Sequence, residues 1–199
     1  MTQPSDAPLP MAPYPITLMV DYPDRDLNRL STFFRIFTVI PIAIVLGSLS
    51  AMVFSPILLM ILFRRKYPRW WFDWNYALVK FTNRVCVYLA LLRDEYPSTE
   101  EDQAVHIDMV YPDAKEGLNR WLPLVKWFLA IPHYVVLAVL ILAVIVVTII
   151  AWFAILFTGR YPKGLFAFVV GVLRWGLRVL AYAFLLITDR YPPFSLDTV

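Results

Sequence analysis

The sequence predicts an all-α integral membrane protein built as a tandem repeat of two modules, and three observations carry that prediction. First, charge is missing from two long stretches: no Asp, Glu, Lys, Arg or His lies between Arg35 and Arg64, and of these only His133 lies between Lys126 and Arg160. Each exceeds the roughly 20 apolar residues that cross a hydrocarbon core. Second, 60% of the 199 residues are hydrophobic and only 17% charged, against about half and about a quarter in soluble domains. Third, one order of short motifs occurs twice.

The repeat starts with Ile16–Asp24, echoed by Val105–Asp113. Leu27-Asn28-Arg29 returns as Leu118-Asn119-Arg120, Ile40-Pro41 as Ile131-Pro132, and Tyr67-Pro68 as Tyr161-Pro162. Lys80, Arg84 and Tyr88 return as Arg174, Arg178 and Tyr182, and Asp94-Glu95-Tyr96-Pro97 as Asp189-Arg190-Tyr191-Pro192. The spacing drifts only from 89 residues (Ile16 to Val105) to 95 (Tyr96 to Tyr191), so a few short insertions suffice. The predicted organisation is a disordered, proline-rich tail 1–15, module 16–97, linker 98–104, module 105–194 and C-terminal tail 195–199. The tail lacks the basic start and apolar stretch of a cleavable signal peptide.

Each module opens on a short strand, Ile16–Asp21 or Val105–Val110, where apolar residues alternate with polar ones. Tyr-Pro-Asp then turns the chain and offers a helix cap. A mixed helix follows, Leu27–Ile40 or Leu118–Ile131. Its cations (Arg29 and Arg35, or Arg120 and Lys126) would face water while Phe, Trp and Leu enter lipid, the pattern of an interfacial helix. Proline at Ile-Pro predicts a break, after which Ile42–Phe63 or His133–Phe157 crosses the membrane. Unbroken, the second stretch would be about 50 Å long in a core of about 30 Å.

The second hydrophobic helix, Trp70–Leu92 or Leu165–Ile187, carries two basic residues near its middle, which are costly against lipid. Crossing with those charges turned inward, lying in the interface, and packing as a soluble core helix are the three alternatives. Crossing is the expectation, giving four spanning helices. The two strands would then pair on one side of the membrane. Basic residues are too evenly placed to orient the chain; cytoplasmic termini are expected because the N-terminal tail then needs no translocation.

Lys80 and Arg84, like Arg174 and Arg178, stand four apart and share a helix face. They are the candidate site for a phosphate or carboxylate, most simply an anionic lipid headgroup. The competing reading makes them inter-helix ion pairs with Asp73, Asp94, Glu95 and Asp189. Tyr67, Trp70, Trp71, Tyr96, Tyr161 and Tyr191 read as interfacial anchors, since amphipathic rings sit well at headgroup depth. Cys86 excludes an intrachain disulfide framework and reads as a buried small hydrophobe. His106 and His133 have no metal-ligand spacing, and no catalytic constellation or cofactor motif is present. A net charge of +3 points to membrane lipids rather than nucleic acid as the basic residues' partners.

The Leu-Asn-Arg motifs, Ile131-Pro132-His133, Trp152–Pro162 and Thr188–Phe194 resemble the bacterial membrane-protein family known as a domain of unknown function, DUF4389. The resemblance covers nearly the whole chain and is closer in module two; Arg64-Arg65-Lys66 departs from the Thr158-Gly159-Arg160 of the other module. It implies a bacterial inner-membrane protein, which the expected spanning helices make multi-pass, and no functional residue carries over. The expected function is a non-enzymatic accessory or scaffold subunit that binds anionic lipid and a membrane-protein partner, or another copy of itself. A small transporter with an anion path along the basic pairs, and a lipid-acting enzyme, are the alternatives.

Overall fold

The computed structural model describes residues 14–50 and 55–198, with only the helical backbone at residues 36, 43, 45–50, 55 and 56. The chain is mostly helical. Strand β1 (Ile16–Val20) leads to α1 (Arg29–Ser50), α2 (Ser55–Leu59), a π turn (Met60–Arg64) and α3 (Arg69–Leu89). Strand β2 (Val105–Met109) then leads to α4 (Pro123–Leu129), α5 (Ile131–Thr158) and α6 (Lys163–Ala183).

The strands pair antiparallel with Leu18 opposite Ile107, two residues that match in the sequence echo. Ile16, Leu18, Val105 and Ile107 are buried while Met19, His106 and Asp108 are exposed, as alternation dictates for a sheet covered on one face. The covered face packs crosswise: β1 on α6 and β2 on α3. Arg174 Nε donates to the Leu18 carbonyl at 2.8 Å, and the Tyr76 hydroxyl to that of Ile107 at 2.7 Å. Both second helices thus close the strand pair.

Two helices among the described residues are long and apolar enough to cross a membrane, α5 and α6. They differ in surroundings. Only 6% of the most apolar stretch of α5 is buried inside the protein, against 56% for α6.

Several boundaries differ from the sequence-based expectation. Pro41 lies inside α1 and does not break it. Val39 and Ile42, on either side of that proline, both pack with Phe81, Val85 and Tyr88, which holds the helix through the lost hydrogen bond. In the second half the break is real and falls at the fully buried Ala130. Pro132 then sits in the first turn of α5, where a missing N–H costs nothing. The mixed helix expected over Leu118–Ile131 is reduced to the seven residues of α4. The span expected over Ile42–Phe63 is divided between α1, α2 and the π turn, and residues 51–54 lie outside the described residues.

Most of the expected tail 1–15 also lies outside them. Its end, however, is packed: Tyr14 is 2% exposed, its hydroxyl reaching the carbonyls of Arg178 and Arg190, each at 3.3 Å. Burial, only partly opposed by those two arginines, raises its pKa above the ordinary phenol value.

Candidate functional site

The polar interior is organised around two buried cations. Arg35, 2% exposed, reaches from α1 to the segment after α3, where its guanidinium donates to the carbonyls of Tyr88 (3.0 Å) and Arg93 (2.9 Å). The same group pairs with Asp94 at 2.5 Å and lies 4.4 Å from the centre of the Tyr88 ring. In the second half Lys126, fully buried, donates to the Thr188 carbonyl at 2.7 Å, pairs with Asp189 at 2.6 Å and faces the Tyr182 ring at 5.2 Å. Burial lowers the Lys126 pKa below the usual amine range, with Asp189 partly opposing it. Each aspartate also accepts a backbone N–H at the head of the mixed segment: Asn28 to Asp94 at 2.6 Å, Asn119 to Asp189 at 2.5 Å. The expectation that Arg35 and Lys126 face water is therefore corrected. A cation in an apolar helix is tolerable inside when backbone carbonyls and a carboxylate compensate most of its charge.

The same pairs correct the expected partners of the basic residues on α3 and α6. Asp94 and Asp189 belong to Arg35 and Lys126, Glu95 to Arg93 at 2.6 Å, and Asp73 stands 4.0 Å from Arg69 on the exposed first turn of α3. Arg84 donates to the Ser98 carbonyl at 2.5 Å. Arg178 donates to the carbonyls of Ser195 (2.7 Å) and Asp197 (3.1 Å), while Arg174 serves β1. Lys80 lies 5.5 Å from the Tyr76 ring. The four basic residues thus do not converge on one cavity. The chain segments after each second helix, 98–104 and 195–198, seat on their guanidinium groups.

The aromatic residues divide. Trp70 (69% exposed), Tyr96 and Tyr191 are at the surface and Trp71 is half-buried, but Tyr67 and Tyr161 are 2% and 1% exposed. They are core residues because the turn that carries each is overlaid by the other half's Tyr-Pro-Asp segment. The Tyr111 hydroxyl donates to the Tyr67 carbonyl and the Tyr22 hydroxyl to the Tyr161 carbonyl, the latter at 2.5 Å. The Tyr67 hydroxyl donates in turn to the Leu185 carbonyl at 2.9 Å, whereas that of Tyr161 has no hydrogen-bond partner among the described residues. Burial raises both phenol pKa values. Cys86 is half-buried rather than buried.

Sequence reasoning missed an aromatic cage around His133. The Trp175 indole N–H donates to His133 Nδ1 at 3.0 Å, and the Phe194 ring stacks on the imidazole at 3.9 Å. Its only advance signal was an isolated histidine in a charge-free stretch. Among the described residues no three His, Cys, Asp or Glu side chains gather as metal ligands would.

Between the π turn and α3 opens a cavity of about 540 Å³, with Ile57, Met60 and Trp71 on its wall and Arg64, Lys66 and Arg69 at its rim. The corresponding cleft of the second half, by Tyr22, Arg25, Arg160 and Lys163, is about 290 Å³. There Arg160 is engaged by Asp26 at 2.9 Å.

Comparison with curated proteins finds no match, nor does comparison with solved structures. Residues 121–195, which run from the head of α4 through α5 and α6 to the carbonyl that receives Arg178, match the family described as "Domain of unknown function (DUF4389)".

Proposed function

We propose that the chain is a multi-pass membrane protein of a bacterial inner membrane that acts without catalysis, as an accessory or scaffold subunit seated among anionic lipids and docked to a membrane partner. The observation that carries this reading is α5: 28 residues with no formal charge, with only 6% of its most apolar stretch buried inside the protein. Burying such a surface is worth about 25 cal/mol per Å², and only lipid or another membrane helix can supply the cover. Val135, Val139, Leu142, Val146 and Phe153 are exposed along it. The matched polar contacts of the two halves support reading them as copies of one module. Arg174 and Arg178, bonded inward to backbone carbonyls, have the arrangement a crossing α6 requires.

A second reading for α3 and α6 has its own observation. The exposed face of the strand pair carries His106 and Asp108 beside Met19, and it lies over the middle of these helices. That favours α3 and α6 lying in the interface, with water above the strands.

Sided labelling separates the two. In a Cys86→Ser background, single cysteines at Lys66 and Thr99 label from opposite faces of the membrane if α3 crosses and from one face if it does not. Native mass spectrometry of protein released from its own membranes tests the accessory role. A stoichiometric membrane protein supports it, while turnover of any lipid by the purified chain overturns it.

A further inference from the structure

The cavity beside the π turn is rimmed by cations that are unspent among the described residues. No carboxylate or carbonyl receives Arg64 or Lys66 among the described residues, and Arg69 has only Asp73 at 4.0 Å and the Tyr111 ring at 4.9 Å. Arg65 and Lys115 extend the positive rim into an adjoining cleft of about 350 Å³. The carboxylate facing that rim, Asp113, is already bound: its Oδ1 accepts the backbone N–H groups of Lys115 (2.9 Å) and Glu116 (3.3 Å), which hold its pKa below the usual range. Behind the cations the wall is apolar. Ile57 is 1% exposed and Met60 half-buried, and the volume is that of sites which take small organic ligands, about 300–1,000 Å³. The cavity opens where a charge-free stretch ends and the exposed Trp70 begins α3, the sequence position of a headgroup layer.

The backbone adds an independent mark. Arg65 adopts left-handed backbone at φ 47°, where the second half has Gly159 at φ 78°. A non-glycine residue there carries strain that glycine avoids. A cation kept at that place places one more positive charge on the rim.

Resting on the membrane reading above, we propose that this cavity seats one anionic glycerophospholipid. Its phosphate lies among Arg64, Lys66 and Arg69, and the head of an acyl chain lies on Met60 and Ile57. The shared chemistry is a phosphate oxyanion, and the test separates the lipid from a free phosphate ion.

The full chain is reconstituted in phosphatidylcholine nanodiscs with a rising fraction of phosphatidylglycerol, and retained lipid is counted by native mass spectrometry. The R64Q/K66Q/R69Q variant is expected to lose the preference for phosphatidylglycerol about a hundredfold, since each basic residue at an anionic surface is worth roughly fivefold. R160Q/K163Q, in the other half, should keep it. M60W fills the cavity with its charges intact and should also lose the lipid. Equal retention by wild type and R64Q/K66Q/R69Q overturns the proposal. So does displacement of the lipid by millimolar inorganic phosphate with M60W unaffected, which would assign the site to the free ion. A wild-type chain washed off vesicles by alkaline carbonate would sink the membrane reading itself. A chain that stays but shows no headgroup preference would sink only this proposal.

Discussion

Arg65 and Gly159 stand at matching places, just before Tyr67-Pro68 and Tyr161-Pro162, and both take left-handed backbone. Around Gly159 the turn is closed: the Leu27 N–H donates to its carbonyl at 2.8 Å, and Asp26 engages Arg160. Around Arg65 the preceding helix loosens into a π turn, three cations point to solvent, and the larger cavity opens. Irregular helical turns of this kind are common at functional sites. The contrast teaches that one turn design can close as a clasp where its charges are internally matched, and stay open with exposed cations at its rim where they are not.

The largest effect expected concerns the buried cations, where the two halves are not equally insured. Asp189→Ala leaves Lys126 fully buried with the Thr188 carbonyl alone and should cost about 3–5 kcal/mol, as for other broken buried pairs. Asp94→Ala leaves Arg35 two carbonyls and should cost less, about 2 kcal/mol. Thermal unfolding in detergent of both variants checks the order, and equal losses would break the comparison. Next come the turn residues. Gly159→Ala should destabilise by about 1–2 kcal/mol from the left-handed backbone alone, with more from a Cβ only 3.2 Å from Asp26 Cγ. Arg65→Gly should instead stabilise, by about 1 kcal/mol.

How much of this could be read beforehand follows a physical pattern. Strand alternation at Ile16–Val20, the charge-free stretch of α5 and the echo of motifs are periodicities, and periodicity survives in one dimension. The inward turn of Arg35 and Lys126 does not. Their surroundings along the chain are those of an interfacial helix, and only segments some 60 residues away supply the carbonyls and carboxylates that make burial affordable. The sign available in advance was that they occupy matching places. Pro41 misled for a like reason: a local breaker was overruled by packing on α3. The loose cations near Arg64 were visible, but the cavity they rim depends on how the π turn meets Trp71 and Tyr111.

Smaller tests refine the comparison. Tyr67→Phe deletes a buried hydrogen bond and should cost about 1 kcal/mol, whereas Tyr161→Phe removes a hydroxyl with no partner among the described residues and should be neutral or slightly stabilising. Both phenols are held neutral by burial, so their folded pKa lies above the unfolded value of about 10. The stability each adds is complete below pH 10 and is lost as pH rises toward the folded value. Absorbance at 295 nm should show these tyrosines ionising only as the protein unfolds.

The smallest effect is at Glu95, whose counterpart is Arg190. Partial burial penalises its charge, but hydrogen bonds from Arg93 and the Ala104 N–H outweigh that and hold its pKa below the usual carboxylate value. That contribution is present above about pH 4.5 and is lost as pH falls through the folded value. Glu95→Gln should therefore flatten the acid limb of the unfolding curve slightly.

The crosswise contacts also bear on how the chain is made. Tyr22 waits for the Tyr161 carbonyl, Tyr14 for that of Arg178, and β1 for both its strand partner and α6. All of these leave the ribosome much later. The first half is therefore made with its strand unpaired, and it completes its fold only when the second half arrives. Severing the linker at 98–104 and supplying the two pieces together should then restore the protein, because each piece carries what the other lacks.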